Sequence, residues 1–421
     1  MKLINVKKHS IKIITLLIVI LVSIFLLLNN NNKKLNNGID EPPEEKTYIA
    51  NIIASAVGMV DLSHKAEIKE ATKTQSNDKQ QNAVEHSTKT AYHRDVHAKA
   101  HGCLKATFTV PEHLDENLRY GVFKQPGEFK AWVRYSSGDT RFQADGKKDA
   151  RGMAIKLMNI DQPTLLSNKN DAGSQDFVMI NNDVFFIPTV KEYMEFMQFQ
   201  AVGDKFGYFF NNFNWNIFTW HFRQLYLGAS TLKTAPKSLL KEQYHSLSAY
   251  RLGPEQFMKY SAKACESNKV IDVNRDDPNF LRAELKKNLS TNNACFDFMV
   301  QLQNPSKNMP VEDTTIRWEE KDSPFIKVAK LTIESQQFDS QAQNTFCDNL
   351  SFTPWHGTKD IEPVGGMAEA VIRRDGITSI ADRLMRRDQR GHLMVELQKK
   401  ELKPLKIGLE PGEYRITREH E

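Results

Sequence analysis

His97, in the segment AYHRDVHAKAHG, has neighbours that point to chemistry. Taken alone it reads as an ordinary surface or core histidine. Arg94 stands three residues before it and Arg134 lies in WVRYSSG, and both guanidinium groups could oppose the anionic groups of a large ligand. Asn181, in INNDVFFIP just after a strand-like run, can donate an amide hydrogen bond. A histidine ring, two permanent cations and a neutral amide donor together describe a pocket suited to handling oxygen.

Such residues need a scaffold, and the pattern around them is rich in strands. CLKATFTV (103–110), FKAWVRYSS (129–137), GMAIKLMNI (152–160) and DFVMINNDVFFI (176–187) are aromatic and branched runs separated by Gly, Pro, Asp and Asn turns. That texture predicts an antiparallel sheet or barrel. From 190 to 260 it turns helical and strongly aromatic, in VKEYMEFMQF, FNWNIFTWHFRQLYL and SLLKEQYHSLSAY. DPNFLRAELKKNL (277–289) reads as a further helix with an Asp cap and Pro in its first turn, and ACFDFMVQLQ and FIKVAKLTI read as further strands. GITSIADRLMRRDQRGH reads as a helix ending near Gly391.

In order and spacing, RDVHAKAHG, WVRYSSGDT with DARGMAIKLMNI, DFVMINNDVFFIP and LSFTPWHGTKDIEPVGG resemble the catalase superfamily, in particular its shorter bacterial haem proteins. The resemblance runs from about Tyr92 to His392. It implies an α+β fold, an antiparallel β-barrel with surrounding helices, that holds haem b. On the matching positions it places a distal histidine at His97, with Ser136 holding its ring, a distal asparagine at Asn181 and propionate-binding arginines at Arg94 and Arg134. The peroxide would be the substrate of His97 and Asn181. Tyr193 and Phe196 lie on a helix that could face the porphyrin, although packing explains them equally. The proximal side departs from the family, which uses a tyrosinate iron ligand. No tyrosine occurs between Tyr260 and Tyr414, and with Arg374 in register the ligand position falls near Thr378, a poor ligand for iron. His356, Asp375 and Tyr414 are alternatives off that register, and His356 also reads as a structural turn residue. Two functions therefore stay open: haem b binding with decomposition of hydrogen peroxide or an organic hydroperoxide, and a degenerate catalase fold that is a membrane-tethered binding or structural protein without turnover.

The rest of the chain frames that body. Residues 13–28 (IITLLIVILVSIFLLL) carry no charge and follow four lysines, which predicts an uncleaved signal anchor with the body on the extracytoplasmic side; a buried helix is the alternative. The expected organisation is an anchor at 1–28, a polar tether with short helical segments at 29–90 and the catalase-like domain at 91–421. The membrane would be a partner through residues 13–28. With 40% hydrophobic and 26% charged residues and a mean hydropathy of −0.52, the 421-residue chain is neither a polytopic membrane protein, a collagen-like fibre nor wholly disordered. A formal charge of +5 is too small at this length to imply a nucleic-acid partner. The four cysteines have neither the density of a disulfide scaffold nor the spacing of a zinc site. Cys265 and Cys295 are the favoured disulfide pair, and Cys103 reads as a core thiol in a strand. An oligomer is possible on this reading.

Overall fold

Alternating side chains build the core. In β1 (Ala100–Val110), Leu104, Phe108 and Val110 are buried while Lys105 is exposed, so one face of the strand turns inward. The computed structural model describes residues 96–140, 142–165 and 173–365, with isolated positions at Tyr48, Asn51, Ile52 and Ser55 and two-residue strands at Val395–Glu396 and Ile416–Thr417. β2 (Gly127–Ser137), β3 (Arg151–Leu157) and β4 (Gln175–Ile180) continue antiparallel from β1. β5 (Gln243–His245), β6 (Tyr250–Leu252), β7 (Gln256–Ala264), β8 (Ala294–Leu302) and β9 (Ile326–Ile333) complete the sheet. β9 pairs with β1, and β5 pairs with both β4 and β7, which closes the ring β1-β2-β3-β4-β5-β7-β8-β9; β6 pairs along β7. Closure removes the edges at which unpaired strands aggregate.

The seam is short, because β4 and β5 share a single residue pair, Ile180 with His245. Beside it a side chain replaces the missing ladder: the Tyr260 hydroxyl accepts from the Val178 amide at 3.1 Å and donates to the Val178 carbonyl at 3.3 Å. The barrel interior is aromatic. Phe298 lies 4.6 Å from Phe177 and 5.2 Å from Phe108 between ring centroids, and Tyr260 meets Phe177 edge-on at 5.1 Å.

Helices cover the barrel. α1 (Val190–Ala201) starts at Thr189, whose side chain accepts from the Glu192 amide. Its buried Val190, Tyr193 and Met197 pack with Ile52, Ile187 and Tyr208. α2 (Phe222–Thr231) follows, and α3 (Phe280–Leu289) buries Phe280, Leu281, Leu285 and Leu289 in the barrel's core cluster. Gly102 permits α3 to approach β1: a Cβ there would meet Leu285 Cδ2 at 2.7 Å. α4 (Gln341–Asn349) is joined to β1 by the Cys103–Cys347 disulfide and by Gln343 Nε2, which donates to the Cys103 carbonyl at 2.7 Å.

Several expectations are corrected. Residues 13–28 lie outside the described residues, and no described helix is long and apolar enough to cross a membrane. The longest described helix, α1, has 12 residues, about 18 Å against a bilayer core of about 30 Å. The single N-terminal transmembrane helix, the membrane partner and the extracytoplasmic placement that followed from it are therefore set aside. SLLKEQYHSLSAY does not form a helix: after a 3-10 turn at Leu239–Lys241 it enters β5 and then β6, because pairing with β4 and β7 buries Tyr244 inside the barrel. The fourth strand stops at Ile180, where Asn182 Nδ2 turns the chain by donating to the Val184 carbonyl. Cys103 is a disulfide partner rather than a core thiol, while Cys265 does bond to Cys295. The predicted helix before Gly391 lies outside the described residues.

Candidate functional site

Met153, Ile155 and Leu157 of β3 point into the barrel, so Gly152 and Ala154 face outward. Ser136, Gly152 and Ile180 share one row across β2, β3 and β4; Arg134, Ala154 and Val178 share the next row along the same face. His97 lies on this outer face. Its Nδ1 is 3.0 Å from Ser136 Oγ, and a Cβ on Gly152 would meet that same Nδ1 at 2.6 Å and Ser136 Oγ at 2.8 Å. Glycine thus makes the space in which ring and hydroxyl meet.

His97 is held through its backbone as well. Its φ of 57° puts a non-glycine residue in the left-handed region, a conformation that neighbours must hold. The His97 amide donates to the Gly138 carbonyl at 3.3 Å, and Arg134 Nη2 donates to the His97 carbonyl at 2.8 Å. Arg134 is buried, 4% exposed, and braces the histidine's main chain.

Asn181 follows the last residue of β4. Its Oδ1 accepts from the Arg151 amide at 2.8 Å, its own amide donates to the Arg151 carbonyl at 2.9 Å, and its Nδ2 donates to Glu242 Oε2 at 2.9 Å. These bonds fix the amide's orientation, and Nδ2 has no second acceptor among the described residues. Because Arg151 adjoins Gly152, Asn181 is anchored one residue from the floor beneath His97. The structure thus brings Ser136, Arg134 and Gly152 onto His97 and places Asn181 on the adjoining strand end. Arg94 and Thr378 lie outside the described residues, as do Asp375 and Tyr414.

Behind this face lies a buried polar layer. Lys99 Nζ is 2.6 Å from Asp145, Arg151 Nη2 donates to the Asp145 carbonyl at 2.8 Å, and His101 Nε2 is 2.9 Å from Ser137 Oγ, which Arg151 also contacts. Burial above all, then the charges of Arg151 and Lys99, holds His101 well below the ordinary histidine range. It is a neutral structural ring. His356 is structural too: its Nδ1 lies 2.9 Å from Asp176, which also binds Lys156 at 2.8 Å and accepts from the Thr353 amide at 2.9 Å. Tyr193 is buried in the α1 cluster, and Phe196 packs beside it.

Sequence reasoning did not single out Gly152, Arg151 or Glu242. A glycine inside a strand pattern, DARGMAIKL, was the available signal for close approach at Gly152. Glu242 carried no such signal, because its contact with Asn181 spans 61 residues.

The catalase family model matches residues 61–363. Catalase A of Pseudomonas putida is 24% identical over 261 residues, which cover 57% of this chain and 52% of that protein. The chain thus spans about half the length of this curated relative. Among solved structures, catalase A from Saccharomyces cerevisiae superposes with a TM-score of 0.54 at 16% identity, covering 70% of this chain and 61% of the other. A fungal catalase gives 0.52 at 17% identity, covering 68% and 58%, and a bacterial catalase gives 0.51 at 15% identity, covering 70% and 58%. At these identities the likeness to the solved structures is one of fold. Haem b, the family's usual cofactor, fits the donor set on one side only: a histidine held by a hydroxyl beside an apolar outer face suits the peroxide side. Among the described residues no group of three or more His, Cys, Asp or Glu is placed to hold a metal ion, and the chain has no tyrosine between Tyr260 and Tyr414.

Proposed function

The chain belongs to the catalase family, and from that premise we propose that it binds haem b against the outer face of β2–β4 and decomposes hydrogen peroxide or an organic hydroperoxide there. The observation that carries this reading is the His97–Ser136 contact seated on Gly152. Haem b would supply the iron at which the peroxide's oxygen–oxygen bond breaks. With Nδ1 engaged by Ser136, His97 Nε2 takes the proton from one peroxide oxygen and returns it to the other. The second Nδ2 proton of Asn181 orients the substrate and supports the charge that develops on oxygen. Arg134 keeps the histidine backbone in place, and Ala154 and Val178 offer the porphyrin an apolar surface. Arg94 and Arg134 are the basic residues that would meet the propionates.

The test is an absorbance spectrum of the chain expressed with ample haem. A Soret band with peroxide consumption that collapses in His97→Ala supports the proposal, and the lack of a band sinks it. The degenerate reading is favoured by the missing tyrosine and by the commitment of Asn181 to Glu242. It predicts equal peroxide consumption by wild type and His97→Ala.

A further inference from the structure

On the opposite side of the barrel seam, β5, β7 and β8 turn His245, Lys259 and Gln301 outward. Their inward neighbours Tyr244, Tyr260 and Val300 are buried in the core, His245 is paired with Ser261, and Lys259 is paired with Gln301. A loop covers them. Gln301 Nε2 donates to the carbonyls of Trp318 (3.0 Å) and Ser323 (2.8 Å), and Arg317 Nη2 donates to Asp183 at 3.0 Å from the segment after β4. Between strands and loop is a cavity of about 290 Å³.

Lys259 is the unusual group in its wall. The side chain is buried, 5% exposed, and its Nζ has no hydrogen-bond partner among the described residues. The Trp318 ring lies 5.2 Å from Nζ to the centroid. A buried ammonium with no acceptor is costly, and burial lowers Lys259 to about 8 despite the opposing fields of Asp183 and Asp313. Burial likewise lowers His245 to about 4, which leaves a neutral imidazole on the same wall. Arg317 and Lys321 in the lining face Asp183, Glu319 and Glu320, so with Lys259 neutral the cavity holds no excess positive charge to select an anion. An amine whose neutral fraction is far above an ordinary lysine's, an aromatic wall and a lining without excess positive charge suit a small uncharged carbonyl compound.

We propose that Lys259 is a nucleophilic amine and that this cavity takes a small neutral aldehyde, which Lys259 captures as an imine. The Nζ lone pair forms the new N–C bond as the carbonyl π pair moves to oxygen, giving a carbinolamine. The C–O bond then breaks as C=N forms, and the oxygen leaves as water with the two amine hydrogens. No oxidant or reductant takes part. The Trp318 ring packs against the alkyl end of the aldehyde.

The experiment treats the full chain at pH 7 with propanal and cyanoborohydride, which reduces imines to stable N-propyl amines, and maps each lysine by peptide mass spectrometry over time. Relative to an ordinary lysine at 10.5, a group near 8 has about 300-fold more neutral amine at this pH. Limited access through the cavity mouth reduces that advantage, so Lys259 is expected to react at least tenfold faster than the median lysine. Its rate should level off above about pH 8 while the others still rise. Lys259→Met should lose the fast-reacting peptide. Reaction of Lys259 at or below the median rate, or only after urea unfolding, overturns the proposal. Both results are read on the wild-type chain, so they stand even if the Met variant fails to fold.

Discussion

Gly152→Ala tests the site where its geometry is tightest. No left-handed backbone angle is involved at this position, so alanine adds only a methyl group and the effect is steric. That methyl would stand 2.6 Å from His97 Nδ1, 2.7 Å from Cε1 and 2.8 Å from Ser136 Oγ, wedged between the two groups whose contact it replaces. The ring must retreat by about 0.8 Å to reach ordinary contact at 3.4 Å, which carries a 3.0 Å hydrogen bond beyond bonding distance. Overpacking at this level costs about 1–3 kcal/mol, of which the lost hydrogen bond accounts for about 1 kcal/mol. On the proposed function, a displacement near 1 Å at His97 would lower turnover by about 100-fold. Urea unfolding measures the first effect, and the side-chain ¹⁵N signals of His97 report the second without requiring turnover. Ser136→Ala serves as comparison, because it removes the hydrogen bond without the wedge. Unchanged ring signals together with stability within about 0.5 kcal/mol of wild type would refute the proposed packing of His97 on Gly152.

Other predictions rest on separate parts of the molecule. His245, lowered to about 4 by burial, stays neutral in the folded chain where the unfolded chain protonates below 6.5. Its share of stability is therefore complete above pH 6.5 and is lost as pH falls toward 4, about 3 kcal/mol in all. His245→Gln should flatten the pH dependence of urea unfolding by up to one proton in that window, and an identical slope would contradict the assignment. Asp176→Ala leaves buried Lys156 and His356 without their shared carboxylate and should cost about 3–5 kcal/mol in the same assay. Replacing Cys103 and Cys347 together by Ser opens a covalent link across 244 residues and should cost about 2–5 kcal/mol; an unchanged unfolding midpoint would show that the link contributes nothing to stability.

The first four strands were legible because aromatic and branched residues run through them between Gly, Pro, Asp and Asn turns, over segments long enough to outweigh other patterns. The short strands were not. Gln243–His245 has three residues, and only the demand of β4 and β7 for a partner makes it a strand. The site divides in the same way. His97, Ser136, Arg134 and Asn181 were readable as residue types within distinctive segments, and the tertiary structure supplies their actual partners.

What the sequence determined by itself was local: the strand and helix segments, the order of motifs and the lack of a tyrosine between Tyr260 and Tyr414. Only the tertiary structure decided that a glycine would seat the histidine ring, that Arg134 would brace its backbone, and that Glu242 would hold Asn181. It also set the Lys259 amine, without a hydrogen-bond partner among the described residues, in a cavity across the seam. The reason is physical. Periodicity reports which way a side chain faces, whereas a hydrogen bond or a close contact depends on chain closure between residues that are distant in sequence.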